Sequence, residues 1–152
     1  MEQKHIALNR FLVEVFNEIL KTEESCIASS GIKNLSLREL HVIEAVCNAE
    51  NKNSDNRATA IAADLRITAG TLTTTVSLLE KKGYLQRIRE AKDKRVVHIC
   101  STELGKMANE RHAQFHAEMI DNVLRSLTDE EATIFVHALK SINTFFKVKY
   151  DK

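Results

Sequence analysis

From Thr68 to Ser77 the chain reads TAGTLTTTVS, with five threonines in ten residues. Threonine is a weak helix former because its branched Cβ crowds the preceding turn, so such a run within a helix needs a reason other than propensity. Leu72, Val76 and Leu79 recur at i, i+4 and i+7 and define one inward face. The opposite face displays Ala69, Gly70, Thr71, Thr73, Thr74 and Ser77, with Thr68 as the helix cap and Thr75 at the edge of the core. A small, hydroxylated surface of this kind fits a DNA major groove. Threonine methyls meet thymine methyls, hydroxyls reach phosphates or base edges, and Gly70 leaves room for the backbone. The helix N-terminus favours a phosphate in addition. Further along, Arg87, Arg89, Lys92, Lys94 and Arg95 gather positive charge on a short segment suited to phosphates or to an arginine entering a narrow minor groove. Asp93, two residues before Arg95, is placed to orient that guanidinium through a bidentate pair.

A second group has ligand chemistry. His112 and His116 are four apart on one helix, so their rings can share a face and a metal ion. Two ligands do not complete a site, and the remainder must come from elsewhere in the chain. Cys26, flanked by Glu23, Glu24 and Ser25, sits in a poor setting for a reactive thiolate, and Cys47 falls on an apolar helix face as a core residue. His98 reads as a phosphate contact or a packing residue.

These residues must be held by a mostly helical frame, since the chain has no proline, four glycines and 5% aromatic residues. A first helix is expected from Gln3 to Ala28, a second from Leu37 to Ala49 behind a Ser36/Glu39 capping box, and an exposed polar loop from Glu50 to Asn56. A short helix from Ala58 to Leu65 precedes the threonine-rich helix, which stops at Gly83. Two short helices joined by a turn of this length make a helix-turn-helix candidate. Tyr84–Arg89 and Val96–Cys100 read as a β-hairpin. Thr102 opens a long helix, and Thr128 with Glu131 caps a last one. The first and last two helices carry wider apolar faces than one small core needs, which points to a symmetric homodimer.

The 152 residues form one domain, divided into a DNA-binding unit over 35–101 and dimerisation helices over 1–34 and 102–152. The overall charge of +1 conceals an asymmetry. Residues 66–98 hold eight Lys or Arg and three Asp or Glu, a local +5, which leaves the rest of the chain at −4. One basic surface on a mildly acidic molecule implies a polyanionic partner. Three cysteines at irregular spacing suit a reducing, cytoplasmic setting, and no apolar run approaches a membrane span. No Gly-rich phosphate loop, Gly-x-Ser-x-Gly, His-Glu-x-x-His or paired-carboxylate motif is present, so the chain reads as a binding protein and not an enzyme.

The run from Ala62 through Thr102, with its reading helix, Leu-Glu-Lys-Lys-Gly stop and Asp93-x-Arg95 wing, resembles the winged helix-turn-helix of the MarR family. The flanking helices are similar to that family's dimerisation helices in order and length. The resemblance implies a dimeric repressor that binds a double-stranded, pseudo-palindromic operator and responds to a ligand. Gly70–Thr74, the Lys-Lys-Gly-Tyr stop and Arg95–His98 are similar to the fatty-acid-biosynthesis repressors of Gram-positive bacteria, which implies an acyl chain on acyl carrier protein, or a small lipid, as corepressor. Cys100 before Ser101 and Thr102, where leucine is usual, and the long 50–56 loop depart from that pattern. Resemblance to zinc-uptake repressors of the same family places Glu24, His41, His112 and His116 at positions that complete a zinc site there. The fatty-acid repressors carry a similar set without sensing zinc. Regulatory zinc, a structural or adventitious metal, and a metal-free polar cluster with no cofactor required therefore remain alternatives, as does a MarR-type regulator of another small ligand.

Overall fold

In the computed structural model, which describes residues 2–29, 32 and 34–150, the elements run α1 (Glu2–Ser29), α2 (Leu37–Asn51), α3 (Ala58–Asp64), α4 (Ala69–Lys81), β1 (Leu85–Arg89), β2 (Val97–Ser101), α5 (Glu103–Arg125) and α6 (Asp129–Tyr150). The chain is mostly α, as its composition predicts, and the elements follow winged helix-turn-helix order.

Local chemistry explains the boundaries. Ser36 and Glu39 form the expected capping box, with the Glu39 carboxylate accepting from the Ser36 N–H at 2.8 Å and the Ser36 hydroxyl accepting from the Glu39 N–H at 3.3 Å. The Thr68 hydroxyl accepts from the Thr71 N–H at 3.1 Å and starts α4. Gly83 stops the chain after α4 with φ +83°, a left-handed conformation that a Cβ would strain. Thr102 caps α5 through the Gly105 N–H, and Thr128 with Glu131 form the second capping box ahead of α6.

Leu72, Val76 and Leu79 on α4 close a core with Leu40, Ile43 and Val46 of α2, Ile61 of α3 and Ile99 of β2. Burial of each such side chain favours the fold by about 1.5–3 kcal/mol. The hairpin is antiparallel, in a register that sets Leu85 opposite Ser101 and Arg89 opposite Val97. A bridge between Arg57 and His98, and the Ile99 N–H donating to the Asn56 carbonyl at 3.0 Å, tie the segment before α3 to β2.

One expectation needs revision. The exposed loop does not begin at Glu50: α2 continues to Asn51, and the half-buried Glu50 carboxylate accepts from the backbone N–H (3.0 Å) and hydroxyl of buried Ser101. That anchor fixes the end of β2 to α2. One compact unit runs to Ala113 and a second begins at Gln114, because Gly105, Ala108 and His112 on the first turns of α5 are buried with the DNA-binding elements. Within the first unit, Ile6, Leu8, Phe11, Leu12, Val13, Val15 and Phe16 of α1 are exposed. Within the second, Ile134, Leu139, Phe145, Phe146 and Val148 of α6 are exposed. No helix among the described residues is long and apolar enough to cross a membrane.

Candidate nucleic-acid interface

Helix α4 presents a face bounded by two flanks. Ala69, Gly70, Thr73 and Thr74 are exposed, and Thr71 is half-buried with its hydroxyl 2.8 Å from that of Thr68. Thr75 is buried and its hydroxyl donates to the Thr71 carbonyl at 2.9 Å, the usual way for a helical threonine to satisfy itself. On one flank, α4 and the start of α2 border an open groove of about 720 Å³ lined by Ser36, Arg38, Thr68, Gly70, Thr71, Thr74 and Leu78, among others. Neither Arg38 nor the exposed Leu78 stands out in the sequence. Their i+2 and i+6 offsets from Ser36 and Leu72 carry no signal of their own. Only the packing of α2 beside α4 brings a cation and an apolar contact to the threonine face.

The other flank corrects two expectations. Arg87 does not project as a phosphate contact. It shares the β1 face of buried Leu85 and turns onto α4, where its guanidinium pairs with the Glu80 carboxylate and donates to the Thr73 carbonyl (3.0 Å) and the Ser77 hydroxyl (3.1 Å). Its own N–H donates to Glu80 at 2.9 Å. Ser77 is likewise committed, donating to the Thr73 carbonyl at 2.9 Å. The Asp93 carboxylate accepts from the Arg95 backbone N–H at 3.0 Å and not from its guanidinium, so it shapes the tip of the wing instead of orienting the arginine. Arg89, Lys92, Lys94 and Arg95 all stand exposed along that wing.

His98, half-buried at the base of the wing, places Nδ1 2.7 Å from the Asn56 amide oxygen, which makes it a packing residue. Nearby, the Arg57 guanidinium bonds the exposed Asp55 carboxylate and holds its pKa down at about 2.

The histidine cluster forms with a different carboxylate. Glu23 and Ile27, one turn apart, are the residues of α1 that point inward, while Glu24 is exposed on the neighbouring face and lines a separate pocket. Glu23 Oε1 lies 3.2 Å from His112 Nε2, and Glu44 Oε2 lies 3.7 Å from His112 Nδ1. The His41 ring centroid is 5.8 Å from that of His112. One ligand atom each from Glu23, His41 and His112 fall within 4.8 Å of one another, a donor set that zinc accepts. His116 belongs to the second unit, where its ring meets Phe115 edge-on at 5.4 Å. Cys47 is core, and burial pushes its thiol pKa up.

A helix, a turn, a threonine-faced second helix and a basic hairpin thus occupy one unit. The family model described as MarR family matches residues 35–97, which spans that arrangement from the α2 cap to the start of β2. Streptococcus pneumoniae FabT, solved in complex with DNA, superposes with a TM-score of 0.87 at 30% identity, covering 94% of this chain and 97% of FabT. The chain belongs to the MarR family. Among curated relatives, the HTH-type transcriptional regulator SarZ of Staphylococcus haemolyticus is 39% identical over 72 residues, 47% of this chain and 46% of SarZ. The HTH-type transcriptional regulator YwhA of Bacillus subtilis is 30% identical over 76 residues, 50% of this chain and 55% of YwhA. The chain spans about half the length of these two relatives. As a MarR-family regulator it is not an enzyme.

Proposed function

We propose that this MarR-family chain is a DNA-binding transcriptional repressor that acts as a homodimer, controls fatty-acid-biosynthesis genes and takes acyl chains on acyl carrier protein as corepressor. The observation that carries the DNA reading is the joint exposure, on one unit, of the α4 face (Gly70, Thr73, Thr74) and the basic wing (Arg89, Lys92, Lys94, Arg95). The α4 residues enter a major groove, and Arg95 reaches the adjacent minor groove. The exposed apolar faces of α1 and α6 support a second copy as partner, since patches of that extent on a monomer mark association. The fatty-acid assignment is supported by the Gly70–Thr74 and Arg95–His98 motifs. An open pocket of about 530 Å³, lined by Ile27, Ala28, Ile32, Leu35 and Leu37 together with the polar Glu24, Asn34 and Ser36, offers a mixed surface of ligand size.

Fluorescence anisotropy of tag-free protein on the promoter of its genome's fatty-acid synthesis genes, in chelator, with and without long-chain acyl carrier protein, tests this reading. Tightening by the acylated carrier is expected. Duplex binding that ignores the carrier overturns the corepressor assignment. A second reading, a zinc-responsive regulator, is favoured by the Glu23, His41 and His112 set. It predicts tightening when zinc replaces the chelator and loss of that response in His112→Ala.

A further inference from the structure

Among the wing cations, Arg87 is turned away from solvent. The residues that receive it, Thr73, Ser77 and Glu80, sit at i, i+4 and i+7 on a single stripe of α4. Both partners of the ion pair are 29% exposed, so the pair is partly shielded from the screening that weakens fully exposed ones. The contact is multidentate: the carboxylate takes both the guanidinium and the Arg87 backbone N–H, and the guanidinium reaches two further oxygens on α4. A planar guanidinium used this way fixes direction as well as distance. The base of the hairpin is held by buried Leu85 and Ile99 and by the Ser101–Glu50 and Ile99–Asn56 hydrogen bonds, while the tip is exposed, so the Arg87 contacts are the polar hold of β1 on α4 itself.

We propose that Glu80 and Arg87 are positioning residues: a clasp that locks the wing to the reading helix, so that the threonine face and the wing cations meet DNA as one rigid body. This rests on the DNA reading above. Specific binding requires helix and wing to be in register together, whereas non-specific binding requires only charge near phosphates. Loosening the clasp therefore lowers the ratio of specific to non-specific affinity, and Glu80→Gln leaves non-specific binding unchanged or tighter, because it removes a negative charge and releases a guanidinium.

The test compares Glu80→Gln, Arg87→Gln and the double variant, by anisotropy on an operator and on an unrelated duplex across a salt series, alongside hydrogen–deuterium exchange of the free proteins. Each single variant is expected to lower the specificity ratio by about tenfold, the scale of one charged hydrogen-bonded pair. The double variant should lose no more than either single, as coupled partners do. Exchange should rise in β1 and β2 but not in α2. An Arg87→Gln salt slope shallower by about 0.9 would mean that Arg87 binds a phosphate directly, and would overturn the clasp. So would unchanged exchange in the wing, an unchanged ratio, or a loss of both affinities in step with the melting temperature. Wild-type protein that selects no duplex would instead refute the DNA reading and the clasp's role in it, while the exchange data still report whether the clasp holds the wing.

Discussion

Gly105→Ala probes the point where the first turn of α5 packs onto the DNA-binding unit. A Cβ at Gly105 would lie 3.3 Å from the Tyr84 carbonyl carbon and only 2.2 Å from its oxygen, the latter more than an ångström inside the roughly 3.5 Å at which non-bonded atoms rest. The obstacle is backbone, so it cannot swing aside as a long side chain would. The same carbonyl accepts from the Thr102 N–H at 3.1 Å and from the Thr102 hydroxyl at 3.0 Å. Moving it weakens two hydrogen bonds worth about 1 kcal/mol each. Overpacking adds about 1–3 kcal/mol, and replacing glycine within a helix returns up to about 1 kcal/mol. The expected net is a destabilisation of about 3 kcal/mol, or about 6–12 °C in melting temperature for a domain of this size. Urea and thermal unfolding at fixed protein concentration, followed by circular dichroism, measure it. Gly70→Ala is the control, because a Cβ there meets only the Thr68 hydroxyl at 4.0 Å and stability should be kept or raised. Gly105→Ala as stable as wild type would refute the close approach of α5 to the strand entrance.

Arg95→Ala, at an exposed wing position, should weaken duplex binding with the melting temperature unchanged; unaltered affinity in anisotropy would remove the wing from the interface. Arg38→Ala should flatten the salt dependence by about 0.9 for each phosphate left without its cation, and an unchanged slope would take the α2 flank out of the DNA footprint. Burial raises the Glu39 carboxyl, but bonds from Lys82 and Ser36 outweigh it and hold its pKa below the ordinary value. Its contribution to stability is therefore present above about pH 4.5 and lost as pH falls through the lowered value, so urea unfolding of Glu39→Gln should show a flatter acid limb than wild type. An identical acid limb would exclude Glu39 as a source of acid sensitivity.

The frame was legible in the sequence because its signals are local. Capping residues Ser36, Thr68, Thr102 and Thr128, the Gly83 stop and the Leu72, Val76, Leu79 spacing each act within a turn or two, and the corresponding helices begin and end within a few residues of expectation. What sequence could not supply was long-range choice. Glu24 entered the histidine set through a family resemblance, which does not report which of two adjacent carboxylates faces inward, and in the structure Glu23 is the one beside His112. Arg87 and Arg89 both read as wing cations. Strand alternation puts both on the α4 side, yet only Arg87 is near enough to Glu80. Glu50 read as solvated until β2 brought Ser101 to it, 51 residues away.

The central claim, a dimer that reads DNA with α4 and the wing, is tested most directly by selecting bound duplexes from a random-sequence library with the wild-type chain. The account predicts enrichment of an inverted repeat whose half-site centres lie about 10–10.5 base pairs apart, or a multiple, because a two-fold dimer must match the helical repeat. Enrichment of no sequence, or of a single half-site bound by a monomer, would contradict it.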